Sequence, residues 1–202
     1  PDVLADTYGA EALRYCLMSD IATGKDSDFS EQRLIERFNS DLANNIGNLL
    51  NRALSMSQRY RAGVLRRSGD DSPLRAEAAE AVASYRRELD QFQPQAALLA
   101  VNEFVTACNT YVEVTAPWKL AKDPERSETL DQVLYGLAES LRIVGLLLSP
   151  VLPKAAEGIL YQLNWDSHHL NLSEAAWGKL PDGHTVAKPV PLFPRIETAS
   201  SS

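Results

Sequence analysis

The sequence predicts an all-α protein, a helix bundle finished by an irregular C-terminal strap. Apolar residues recur three or four apart in nearly every segment up to residue 163, the period of a half-buried helix. Serine and proline stand where helices should begin, and proline or glycine where they should stop. Beyond Asn164 the period dissolves into glycine, proline and isolated aromatics. A chain of 202 residues, 45% hydrophobic and 23% charged, is long enough to bury one substantial core.

A short helix is expected over the run from Tyr8 to Met18. A loop over Ala22 to Phe29 follows, carrying Gly24 among aspartate and serine turn formers. Ser30 can N-cap a long helix with Leu34, Phe38, Leu42, Ile46, Leu49 and Ala53 on its buried face, ending near Gly63. Ser72–Pro73, a capping hydroxyl before a proline, opens the next helix, with Leu74, Ala78, Ala81, Tyr85, Leu89 and Phe92 inward. Pro94 starts another, burying Leu98, Val101, Phe104, Val105, Cys108 and Val112 and ending before Pro117. A helix from about Glu128 turns Leu130, Val133, Leu137, Leu141, Val144 and Leu148 inward until Pro150 stops it, and a last one runs from Pro153 to Leu163. The tail beyond Asn164, with its proline-spaced string Lys188 to Pro194, cannot be helical and reads as an extended strap on a groove. Trp165 and Trp177 are expected to anchor this tail by packing. The final serines, 200–202, read as a frayed end. The divisions follow: a connecting segment 1–29, a helical domain 30–163 and the strap 164–202.

Several classes of function are excluded at this level. The longest apolar stretch, near Ile143 to Leu148, is too short to cross a bilayer. The chain opens on Pro1 without a signal-peptide pattern, so it reads as a soluble piece of a larger protein. The two cysteines, Cys16 and Cys108, lie far apart on apolar helical faces, which suggests buried free thiols in a reducing cytoplasm and no metal knuckle. His168, His169 and His184 sit in loops without a nucleophile nearby, and no phosphate-binding glycine loop occurs. On residue content alone this is a binding or structural module.

Two polar features stand out. Asp41, Asn45, Asn48 and Arg52 fall on one stripe beside the apolar face of their helix. Such a stripe can bond a neighbouring helix, or it can line a crevice where an amide and a guanidinium fork meet the edge of a base. Gly47 in mid-helix costs about 1 kcal/mol relative to alanine, which points to a close neighbour. Trp118 follows Pro117 at a helix end, with Lys119 and Lys122 beside it. An indole there can be half-buried packing or a stacking platform bordered by cations. The net charge of −7 opposes nucleic-acid binding, while Arg52, Arg59, Arg61, Arg66 and Arg67 offer a local basic footprint that is equally readable as a solvated helix end.

The run Asp6–Thr7–Tyr8–Gly9–Ala10–Glu11–Ala12–Leu13–Arg14–Tyr15 resembles the segment after the KMSKS loop of class I aminoacyl-tRNA synthetases. Asp28–Phe29–Ser30, then Asn39 to Asn44 with Gly47–Asn48–Leu49 and Asn51–Arg52, then Ala116–Pro117–Trp118, and finally Pro191 to Glu197, together resemble the methionyl-tRNA synthetase family. The resemblance implies that the helical domain reads the CAU anticodon of methionine tRNA, with Trp118 stacking on the cytidine, Asn48 and Arg52 hydrogen-bonding bases, Pro117 orienting the ring, and Asn45, Lys119 and Lys122 in support. It implies that segment 1–29 contacts the tRNA stem region and that the strap packs toward the protein's own catalytic domain. ATP and methionine, with zinc as a further candidate, would belong to that domain, which carries the HIGH and KMSKS elements. This chain would hold no cofactor and would not aminoacylate alone, and neither membrane nor DNA is an expected partner. The alternatives are the anticodon domain of a leucine, isoleucine, valine or cysteine enzyme, or a helical protein-interaction module.

Overall fold

The computed structural model describes residues 2–20, 29–69, 72–166 and 170–197. The predicted loop as far as Asp28, His168, His169 and the terminal serines lie outside them. Chain order is α1 (Asp2–Tyr8), α2 (Ala10–Asp20), α3 (Glu31–Arg37), a π-helical segment (Phe38–Gly47), α4 (Asn48–Arg61), α5 (Leu74–Asp90), α6 (Pro94–Thr115), α7 (Pro117–Leu120), α8 (Ser127–Leu148) and α9 (Pro153–Gln162). Among the described residues there are also short 3₁₀ turns at Pro124–Arg126 and Leu172–Ala175, so the tail beyond Asn164, expected to be non-helical, contains a helical turn.

α8 is the axis of the bundle. Every residue from Val133 to Leu148 is buried, because α4, α5, α6 and α9 all pack around this helix. A single inward face was expected, and the small or hydroxylated residues Gly136, Ser140 and Gly145 conceal the all-round burial from a periodicity reading. They are what close neighbours need: a Cβ on Gly145 would stand 3.1 Å from the Leu160 side chain of α9. α5 and α6 form an antiparallel hairpin, and α2 lies against α6 with Tyr15 in the core.

Four local expectations change. The first helix is two, broken at Gly9 with φ +88°, a left-handed conformation that glycine adopts freely. The helix capped by Ser30, whose hydroxyl accepts from the Arg33 amide at 3.2 Å, continues to Arg61 but widens into a ten-residue π segment on the way. Gly47 closes that segment, where a Cβ would meet the Leu42 carbonyl at 3.1 Å and the Phe193 ring at 3.6 Å, so strap and helix touch where the glycine sits. Ser72 does not cap α5: its side chain is packed against Gly136, and the turn closes through the Arg75 amide and the Ser72 carbonyl at 3.0 Å. Leu89 and Phe92, expected inward, are 36% and 80% exposed because the tip of the α5–α6 hairpin overhangs the core.

The strap is held by side-chain amides acting as short stretches of β-strand. Gln162 donates to the Val190 carbonyl at 3.0 Å and accepts from its amide at 2.7 Å. Asn39 does the same for Ile196, at 2.9 Å in both directions. An antiparallel bridge between Val64 and Thr185 ties the strap to the α4–α5 connection. Leu180 and Val186 enter the core, and Trp165 and Trp177 pack against it as expected. His184 meets the Leu163 carbonyl at 2.6 Å through its ring nitrogen.

Candidate functional site

The π segment and α4 run beside α6 in the same direction, and a ladder of polar side chains joins them to it. Asn45 Nδ2 donates to the Asn102 carbonyl and to Thr106 Oγ1, both at 3.2 Å. Asn109 Nδ2 donates to the Asn45 carbonyl at 3.2 Å and to Asn45 Oδ1 at 3.0 Å. Asn48 Nδ2 donates to Asn109 Oδ1 at 3.3 Å. Arg52 Nη2 pairs with Glu113 Oε1 at 2.6 Å. The partners climb both sides together, as a parallel course requires. Asp41 leaves the stripe: it accepts from the Tyr15 hydroxyl at 3.1 Å and pairs with Arg37 at 3.5 Å.

The stripe therefore bonds a neighbouring helix, and it retains unused capacity. Asn48 is exposed with its Oδ1 outside the ladder, and the Arg52 side chain keeps 25% of its surface beside a Glu113 carboxylate that is 62% exposed. The arrangement offers an acceptor and several donors at one edge, the complement of a nucleobase edge. A cavity of about 430 Å³ lies on the other flank of Asn48, between Asn44, Asn48 and Asn51 and the strap residues Val190 to Phe193. Asn102, Asn109 and Glu113 were not singled out from the sequence. Their recurrence on one face of α6 was the available signal, hidden because polar residues on a helix default to a solvated face.

α6 also leads to the indole. Glu113 lies in its last turn, Ala116 reverses the chain with φ +46°, and Pro117 and Leu120 of α7 are buried as anchors. Between them Trp118 is 37% exposed, flanked by exposed Lys119 and Lys122. A second cavity of about 530 Å³ opens beside α7, lined in part by Thr115, Lys119, Leu120 and Arg126. The basic footprint is less free than its sequence suggested. Arg61 is tied to Asp131 and Ser127, the Arg67 backbone amide to Asp182, and Arg59 lies over the Tyr60 ring. Arg52 alone of that group belongs to the ladder.

No helix among the described residues is long and apolar enough to cross a membrane. No group of three His, Cys, Asp or Glu side chains there is arranged to hold a metal ion. Both cysteines are buried and free; burial raises the Cys16 thiol and pushes Cys108 up to about 12.

Compared with solved structures, the fold superposes on the apo form of Mycobacterium tuberculosis methionyl-tRNA synthetase with a TM-score of 0.89 at 28% identity, covering 98% of this chain and 41% of that one. It matches the same enzyme in complex with methionyl-adenylate at a TM-score of 0.86. Residues 1–54 match the class I tRNA synthetases of the methionine type. The class is thus that of the class I aminoacyl-tRNA synthetases, in their helical C-terminal part. Residues 64–202 match the anticodon binding domain of methionyl tRNA ligase, and the chain belongs to that family. It is 39% identical over 204 residues to the methionine–tRNA ligase of Bacillus subtilis strain 168 and 37% identical over 203 residues to that of Enterococcus faecalis. It spans 31% and 30% of the lengths of these two relatives.

Proposed function

We propose that this chain is the anticodon-reading part of a methionine–tRNA ligase, a class I enzyme joining methionine to its tRNA at the expense of ATP, and that it recognises CAU. Trp118 offers its indole face to the cytidine, while Asn48 and Arg52 hydrogen-bond base edges. Pro117 sets the ring, Asn45 braces Asn48, and Lys119 and Lys122 attract the backbone. Segment 1–29 contacts the stem region, domain 30–163 reads the anticodon and strap 164–202 packs toward the protein's own catalytic domain. ATP, methionine and any zinc belong to that domain, and the site of action is the cytoplasm.

The observation that carries this reading is a large aromatic ring left accessible at the end of α6, the helix that also braces Asn48 and Arg52 through Asn109 and Glu113. Unpaired bases are read by stacking plus edge hydrogen bonds. Discrimination follows from polar groups that stay unpaired when the wrong base enters, which costs roughly 1–3 kcal/mol per buried group. The ladder also supports the helix-pairing role of the stripe, and the two roles are compatible because the contacts to α6 leave Asn48 Oδ1 and most of the Arg52 fork unused. The test is a titration with an anticodon hairpin carrying CAU and one altered only in its first base. Tighter binding of the CAU hairpin is expected, and equal affinity for the two would refute the reading.

A further inference from the structure

Behind the ladder, the polar chain continues inward. Asn102, whose carbonyl receives Asn45, donates its own amide Nδ2 to the hydroxyl of Tyr15 on α2. That hydroxyl donates to Asp41 on the π segment, Asp41 pairs with Arg37, and Arg37 and Arg33 both grip Asp20, the last residue of α2. An unbroken run of hydrogen bonds and ion pairs thus crosses from the Asn48 edge, through a side chain that is 1% exposed, to the end of α2.

Its centre is incompletely satisfied, and a second arrangement of the same groups is within reach. Tyr15 gives its one hydroxyl proton to Asp41, and its oxygen accepts from the Asn102 amide. In the arrangement present it serves Asp41, and among the described residues Asn102 Oδ1 is buried without a hydrogen-bond partner. Turning the Asn102 amide over would bring that oxygen to the phenol, move the unmet position from Oδ1 to Nδ2, and leave Asp41 to Arg37 and Ser40. Each arrangement leaves one Asn102 polar atom unmet, at roughly 1–3 kcal/mol, so that cost does not separate them and the choice falls to the side that Tyr15 serves. The phenol remains a proton donor throughout, since burial first and then Asp41 raise it above the ordinary tyrosine range. The π segment, which carries both Asp41 and Asn45, links the two sides, and such wide turns recur where helices do functional work.

We infer that Tyr15 is a positioning residue that couples occupancy of the Asn48–Arg52 edge to α2, and through α2 to aminoacyl transfer in the full-length enzyme. The inference rests on the anticodon reading proposed above. A base that draws the Asn48 amide outward releases Asn109 and Asn45, which alters the partner set of Asn102 and so the side to which Tyr15 gives its proton. A coupling element of this kind needs two states that both sites bias, and the Tyr15 hydroxyl supplies them.

The test uses the full-length protein with Tyr15→Phe, Asn102→Ala and the double variant. Hairpin affinity, tRNA-independent ATP–pyrophosphate exchange, and kcat and KM for aminoacylation of a CAU tRNA and an anticodon-altered tRNA are measured. Tyr15→Phe should leave hairpin affinity and exchange within about twofold. It should lower kcat on the CAU tRNA by about tenfold, within the usual range of coupling between sites, and leave the slow rate on the altered tRNA unchanged. Asn102→Ala should do the same, and the double variant should be no worse than either single one. An unchanged kcat, an equal fall on both tRNAs, or a parallel fall in exchange, which would mark simple loss of structure, would each overturn the inference. If the unaltered protein showed no CAU preference, the anticodon reading itself would fall and this inference with it.

Discussion

Two arginine–carboxylate pairs in this protein use the same chemistry to opposite ends. On α8, Arg142 and Glu139 are fully buried and each of their charged-group atoms has a partner. Arg142 binds Glu139 at 2.6 Å, donates to the Glu174 and Ala176 carbonyls at 2.6 and 2.7 Å, and lies 5.0 Å from the Trp165 ring. Glu139 accepts in addition from the Gly178, Lys179 and Leu180 amides at 2.9, 3.0 and 3.1 Å. Among the described residues Arg52 and Glu113, between α4 and α6, make one contact and stand at the surface with donors to spare. A saturated pair clamps the tail onto α8, whereas an unsaturated one leaves hydrogen-bonding capacity for a ligand. Saturation, more than the presence of charge, separates structural polar groups from candidates for recognition here.

The comparison can be broken most sharply at the clamp. Arg142→Met would strand the Glu139 carboxylate in the core and should cost about 3–5 kcal/mol in denaturant unfolding, with the Trp165 emission shifting toward that of solvated indole. A loss under about 1 kcal/mol would mean that the pair is not the tail's anchor. Next in size, Trp118→Ala should weaken binding of the CAU hairpin by about ten- to a hundredfold, the worth of one lost stack, and barely change unfolding. Glu113→Gln should shift stability by no more than about 1 kcal/mol, as for other surface pairs. It should also raise hairpin affinity several-fold at low salt and less at high salt, because a negative group beside the Arg52 fork is neutralised. A stability loss as large as that of Arg142→Met would erase the distinction between the two pairs.

The smallest effect concerns acid. Hydrogen bonds from Arg33, followed by those from Arg37, hold the Asp20 carboxyl below its ordinary value of 3.8. A group depressed on folding contributes stability that is complete above the unfolded-state value and is lost as pH falls through the folded one. Melting temperature should therefore fall below about pH 4 in the unaltered protein, and Asp20→Asn should lower the plateau above that pH while flattening the acid limb. The two profiles running parallel through the acid range would show that Asp20 carries none of the dependence.

Much of the architecture was legible because it rests on local rules. The Ser30 cap, Pro94 and Pro153 at helix starts, the break before Pro117 and the buried face of α6 follow from capping, proline stereochemistry and a period of 3.6. Trp118, Asn48 and Arg52 were legible as residues of suitable type, and the family resemblance drew them together. Their partners were not, since Asn109 and Glu113 acquire meaning only when α6 is laid beside α4. Leu89 and Phe92 misled for the same reason: an apolar face predicts burial only if something reaches far enough to cover it.

By itself the sequence determined the helices, their caps and the apolar stripes that drive them together, because each depends on residues a few positions apart along one chain. Only the tertiary structure decided which arginine is sealed and which is left open, that α8 is covered on every side, and that Tyr15 joins α2 to the polar ladder. Those outcomes depend on how many partners a group finds across the fold and how much water remains around it, quantities that arise from packing between distant segments.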